Sequence, residues 1–440
     1  MKIENKKLFL AVHFLVYFIT ITVFFLTIAK SEQDKINDFK SAYESAKDKT
    51  QERIKALDHL EGLDHPKLIQ WLVKEVIPNE YKKDDPLVVD RIIELIRKIK
   101  NEETIAELVK SAEAKPLEIK LVLIRGMTEI NHSETKKLLI KFVNDKPPAL
   151  RIAAMDTLSF FVPPEALLSV LQALEAKEWQ VRASAINYLS LVRDESVRET
   201  VITALKTRQA KESGRLKHDI SEAISMICQT DAPSGDNATV SMFYGIPMYS
   251  KNLVFVVDTS GSMVAAETGT PRIEILRKEL SQAVQSLAPD VKFNMIKFNN
   301  DATGWQPTQG SGKQYQPQSL TWIKEKVETL VPGKPIGNTN LYSGLELAFQ
   351  MADPPDKPKL VPDGKINTKE GIDTIFVMSD GHPDVGTYHE MDQILKVIQS
   401  VNQTAQLKIH TISVGIPEEL AEAAFLKNLA EQNHGMYLNK

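Results

Sequence analysis

The chain of 440 residues contains one cysteine, Cys228, so no intramolecular disulfide can form and an oxidising compartment is neither contradicted nor exploited. The spacing Ile220, Ile224, Ile227 around it predicts a helix with Cys228 as a small buried apolar residue. No cysteine lies where a lipid anchor would attach. A large charge of one sign is also lacking. Lys and Arg total 54 against 58 Asp and Glu, a net −4, and the basic residues are scattered among the acids. That argues against nucleic acid as a partner. Catalytic constellations are missing as well. There is no Ser-His-Asp set and no second metal cluster, and His410 and His434 stand alone. His434, before Gly435, reads as a helix-terminal residue.

What is present begins with an apolar stretch, Leu8 to Ala29, preceded by Lys2, Lys6 and Lys7. At about 1.5 Å per residue it is long enough to cross a hydrocarbon core of about 30 Å. Residues 1–30 are therefore expected to form a signal-anchor or transmembrane helix, with the amino terminus cytosolic and the body exported to the periplasmic or extracellular side. A secreted protein results if the segment is cleaved after the fair small-x-small match Thr27-Ile28-Ala29. Residues 31–54 read as a charged spacer.

Residues 55–230 carry helical periodicity and a weak repeat. Leu87, Leu117, Leu150, Val181 and Leu216 each open an apolar helix, spaced 30 to 35 residues apart, with a second helix between successive openings. Helix pairs at that period predict an α-solenoid. The Val-Arg-x-x-Ala-Ile run at 181–186, echoed at 150–154, resembles HEAT repeats. The resemblance implies that Arg151 and Arg182 tie neighbouring repeats together. Residues 231–250, with Pro233, Ser234 and Gly235, read as a linker.

Residues 251–440 alternate strand and helix patterns. Strands are expected at 253–257, 291–298, 375–379 and 407–414, with a short final one at 436–438. Helices are expected at 272–287, 319–331, 340–351 and 388–403. This predicts an α/β doubly wound, mostly parallel sheet. The first strand, Leu253-Val254-Phe255-Val256-Val257, runs into Asp258-Thr259-Ser260-Gly261-Ser262. One carboxylate and two hydroxyls at alternate positions, at the carboxyl end of a buried strand, suit a hard divalent cation, Mg2+ first. Helix capping explains one acid at a time, but not the whole set. The Pro-rich stretch 353–363 reads as an exposed excursion.

The run resembles the D-x-S-x-S motif of von Willebrand factor type A (VWA) domains, whose metal-ion-dependent adhesion site uses those three residues. The resemblance covers about residues 250–440. It implies a further ligand at Thr339, in Gly337-Asn338-Thr339-Asn340, and another at Asp380, which ends Ile375-Phe376-Val377-Met378-Ser379. The implied metal set is Asp258, Ser260, Ser262, Thr339 and Asp380, holding Mg2+ with Mn2+ or Ca2+ as substitutes. A protein ligand would supply an acidic residue to complete the shell. Haloacid-dehalogenase-like phosphatases also place an Asp after the first strand, but carry a second Asp two residues on. Here that position is Ser260, which cannot act as a general acid near neutral pH.

The expectation is thus a multidomain binding protein, not an enzyme: a membrane helix, a HEAT-like scaffold and a VWA domain. The competing readings are a structural scaffold with a metal-stabilised fold, and a metal-dependent hydrolase.

Overall fold

The computed structural model describes residues 32–229, 241–266, 269–304, 318–319, 335–352, 359–366, 371–380 and 382–440. Five helices open where the repeat predicts: α1 (Pro86–Arg97), α2 (Leu117–Gly126), α3 (Pro148–Leu158), α4 (Trp179–Ser190) and α5 (Gly214–Cys228). Their starts follow local chemistry. Asp85 caps α1 by accepting from the amides of Leu87 and Val88 at 3.2 and 3.3 Å, and Pro86 supplies a preset φ. The five stack in order as one layer. Glu102–Ala114, Ser133–Val143, Leu167–Ala173 and Glu195–Gln209 lie between them in sequence. Small residues make close stacking possible: Ala149, Ala153, Ala154, Ala183 and Ala185 are all buried.

Arg182 donates to the carbonyls of Ala176 and Lys177 (3.0 and 2.8 Å) and to Glu212 in the next turn (2.6 Å), binding three consecutive segments. Arg151 reaches back to the Val143 carbonyl at 2.9 Å. The helical body begins earlier than residue 55. Phe39, within the stretch read as a spacer, is fully buried in the repeat core against Tyr43 and Trp71.

One part of the expected fold class is corrected. Among the described residues no helix is long and apolar enough to cross a membrane. The transmembrane helix is therefore withdrawn from the architecture; residues 1–30, on which it was placed, lie outside the described ones. Cys228 is a second correction. It ends α5, where the helix surface turns to solvent, and is exposed.

The second body is a sheet of β1 (Asn252–Asp258), β2 (Lys292–Phe298), β3 (Ala302–Gly304), β4 (Gln318–Ser319), β5 (Thr374–Ser379), β6 (Lys408–Ser413) and β7 (Tyr437–Asn439). Its order is β3-β2-β1-β5-β6-β7, with β4 also on β2. β2, β1, β5, β6 and β7 pair in parallel, whereas β3 and β4 pair antiparallel to β2. Helices α6 (Arg272–Ser286), α7 (Leu341–Ala352), α8 (Met391–Ala405) and α9 (Ala421–Glu431) accompany it. The chain leaves β1 toward β2 and later returns to β5 on the other side, so β1 and β5 flank the topological switch point. The helix expected at 319–331 lies outside the described residues, apart from Ser319 in β4. Part of the expected linker belongs to the sheet body instead: Phe243 is buried against Phe255 and Phe376.

The repeats dock on the amino ends of the strands. Arg215 of α5 donates at 2.7 Å to the carbonyls of Asp373 and Gln406, which precede β5 and β6. Lys408, the first residue of β6, is buried between Asp219 (2.6 Å) and Glu222 (3.0 Å) of α5. Lys396 of α8 pairs with Asp90 of α1 at 3.0 Å. The Pro-rich excursion is also corrected. Asp84 holds the amides of Leu360 and Val361 at 3.2 and 2.9 Å, and Val361 is buried in the repeat core. Two backbone amides and one apolar side chain fix that part of the stretch to the helices.

Candidate metal centre

The site lies at the opposite end of the sheet. β1 is buried from Leu253 onward and delivers Asp258, itself fully buried, at its carboxyl end. One Asp258 oxygen accepts from the Ser260 amide at 2.8 Å, and the other accepts from the Ser379 hydroxyl at 2.6 Å. Burial pushes the Asp258 carboxyl up to about 6. The hydrogen bonds from Ser260 and Ser379 oppose that rise, and the charge of Asp380 adds to it. Ser260 and Ser262 hydroxyls lie 3.0 Å apart, and Ser262 donates to Asp380 Oδ1 at 2.8 Å.

Thr339 arrives on a separate loop. The Gly261 amide donates to the Gly337 carbonyl at 2.9 Å, and the Ile336 amide to the Thr259 carbonyl at 3.1 Å, so backbone bonds lace this loop to the Asp258 loop. Gly337 has φ +87, a conformation glycine adopts without strain. Asp384 fixes the far side, accepting from the Thr339 amide at 2.7 Å while its own amide donates to the Thr339 carbonyl at 3.1 Å. Thr339 therefore joins the other four residues through backbone rather than by a side-chain bond among them. His382 lies 3.5 Å from Glu422.

Three further residues support the set. Ser379 holds Asp258, and Asp384 holds the Thr339 backbone. The third is Arg272, whose guanidinium is 2.8 Å from Asp380 Oδ2 and donates to the Gly415 carbonyl at 2.8 Å. A signal for it did exist. Arg272 is the first residue of α6, where the helix dipole disfavours a cation, so a nearby carboxylate was called for.

The donor chemistry fits a hard cation. Two carboxylates and three hydroxyls offer oxygen alone, and among the described residues no cluster of three or more His, Cys, Asp or Glu offers an alternative. The Ser262 hydroxyl proton and the Arg272 guanidinium meet the two oxygens of Asp380.

With the strand order and these loops in place, the class is defined. Residues 251–438 form a von Willebrand factor type A domain. Residues 107–190 carry HEAT repeats. Curated relatives include inter-alpha-trypsin inhibitor heavy chain H4 of Homo sapiens, 26% identical over 192 residues (44% of this chain, 18% of the relative). Heavy chain H2 of Mesocricetus auratus is 28% identical over 191 residues, covering 42% of this chain and 17% of the relative. The chain thus matches under a fifth of the length of these relatives. Among solved structures, a von Willebrand factor type A protein from Catenulispora acidiphila aligns with 44% of this chain and 39% of its own, at 21% identity and a TM-score of 0.31.

Proposed function

We propose that this protein is a non-enzymatic binding protein that engages a protein ligand through a Mg2+-dependent adhesion site built by Asp258, Ser260, Ser262, Thr339 and Asp380. The carrying observation is their placement: four are linked at the carboxyl ends of β1 and β5, and the loop of the fifth is laced to them. When bound, the cation supplies a positive centre with coordination positions left for an incoming carboxylate. Around it, Ser260 and Ser262 present neutral oxygens, Asp258 and Asp380 present charge, and Asp384 keeps the Thr339 loop close. Exposed Val264 and Ile336 supply apolar area on the neighbouring loops. The HEAT repeats serve as a further interaction scaffold.

The test is calorimetric titration of Mg2+ and Mn2+ into wild type and Asp258→Ala, followed by partner capture with and without chelator. Metal binding lost in the variant, with its fold retained, supports the reading. A partner that binds equally in chelator would instead favour a scaffold role, a reading that the ion pair of Asp380 with Arg272 also suits.

A further inference from the structure

A cleft of about 570 Å³ lies where the repeats meet the sheet body, its walls including Arg97, Arg125, Asp156, Asn187, Gln403 and Gln406. Its volume falls within the usual range for small-molecule sites, and domain junctions are a common place for them.

Arg97 ends α1 and Arg125 lies one residue before the end of α2. Gly126 brings these ends together, because a Cβ there would run into the Ile96 side chain. The two guanidiniums therefore belong to one corner of the cleft. Arg125 is only 9% exposed, yet the one hydrogen bond of its guanidinium among the described residues is a long one to Ser400 Oγ at 3.4 Å. It forms no ion pair among those residues. Asp90, the acid whose charge it feels, is 3.0 Å from Lys396. Burial pushes Arg125 down to about 10, and the charge of Arg97 pushes the same way while Asp90 opposes. The Arg97 Nε is buried with no partner among the described residues, and Arg97 too has no ion pair among them.

Two neighbouring cations, one nine-tenths buried, are costly without a counter-charge. Guanidinium geometry matches carboxylate and phosphate oxygens. The other walls have a different character. Asn187 Nδ2, Gln403 Oε1 and Gln406 Oε1 are buried without partners among the described residues, giving a neutral donor and two neutral acceptors. Asp156 already accepts from Ser184 at 2.7 Å and from Gln406 at 3.3 Å.

We propose that this cleft binds a small organic oxyanion, its carboxylate or phosphate seated on Arg125 and Arg97 and its hydroxyl-bearing body hydrogen-bonded by Asn187, Gln403 and Gln406. Because Arg97 and Arg125 belong to the repeats and Gln403 to α8, the ligand touches both bodies and holds them together.

The test uses the full chain in phosphate-free buffer, with thermal-shift and calorimetric titrations of citrate, glucose 6-phosphate and inorganic phosphate, and glucose as the neutral control. Citrate or glucose 6-phosphate is expected to raise Tm and bind with a measurable Kd, the stronger of the two identifying a carboxylate or a phosphate ligand. Glucose should do neither. Arg125→Gln should weaken that binding at least tenfold. Arg97→Gln, at a partly exposed residue, repeats the test where little buried structure is disturbed. The proposal is overturned if no anion shifts the wild type, or if both variants respond as the wild type does.

Discussion

Arg272 and Asp380, 108 residues apart in sequence, form an ion pair of 2.8 Å at the rim of the candidate metal centre. With it, the two site carboxylates and the guanidinium sum to one negative charge rather than two. A divalent ion held there leaves one positive charge over, which suits a single incoming carboxylate.

Arg272→Gln should therefore tighten Mn2+ and Mg2+ binding by roughly tenfold, about 1.4 kcal/mol, because a nearby like charge is removed from the site. Titration calorimetry on both proteins checks this. Equal or weaker metal binding in the variant would show that Arg272 supports the site by holding Asp380 in place.

Lys408→Met should cost about 3 kcal/mol or more, since it strips a counter-charge from Asp219 and Glu222 at a buried junction. Arg215 still pairs with Asp219 at 3.1 Å and softens the loss. Urea unfolding reads the change. A midpoint matching wild type would mean that the junction does not depend on this lysine.

Glu222 gives a pH prediction of definite sign. Burial raises its carboxyl, but the hydrogen bond from His218 and the charge of Lys408 outweigh that and lower it to about 2. An acid depressed on folding contributes stability that is complete above its unfolded value near 4.5 and lost as pH falls toward 2. Glu222→Gln should flatten the fall in stability across that window and leave the curve shape above pH 5 unchanged. Denaturation midpoints from pH 2 to 7 decide it.

Asp84→Ala should release the amides of Leu360 and Val361 and remove a residue suited to the left-handed backbone it adopts, φ 54. A loss of about 1–3 kcal/mol is expected. Asp84→Asn keeps an acceptor and tolerates that backbone, so it should cost less. Limited proteolysis should cut the 353–363 stretch faster in the alanine variant; equal rates in all three proteins would contradict the clasp.

Much of the sheet body was legible because its strands are short apolar runs ended by chemistry. Leu253–Val257 followed by Asp258, and Ile375–Ser379 followed by Asp380, announce both position and use. The repeat openings were legible for a related reason, since Leu87, Leu117, Leu150, Val181 and Leu216 mark one recurring helix face. What escaped were pairings between residues far apart in sequence: Arg272 with Asp380 inside the sheet body, and Asp84 with Val361 and Arg215 with the strand bases where the two bodies meet. Local pattern carries no information about such partners.

The docking of the repeats on the amino ends of the strands has a consequence for traffic through the molecule. A strand of seven residues such as β1 spans roughly 20 Å. A ligand arriving at Asp258 and one arriving on the repeats approach from opposite poles, and neither blocks the other's path. On the function proposed above, a metal-dependent partner at one end and a metal-independent one on the repeats would be held at the same time.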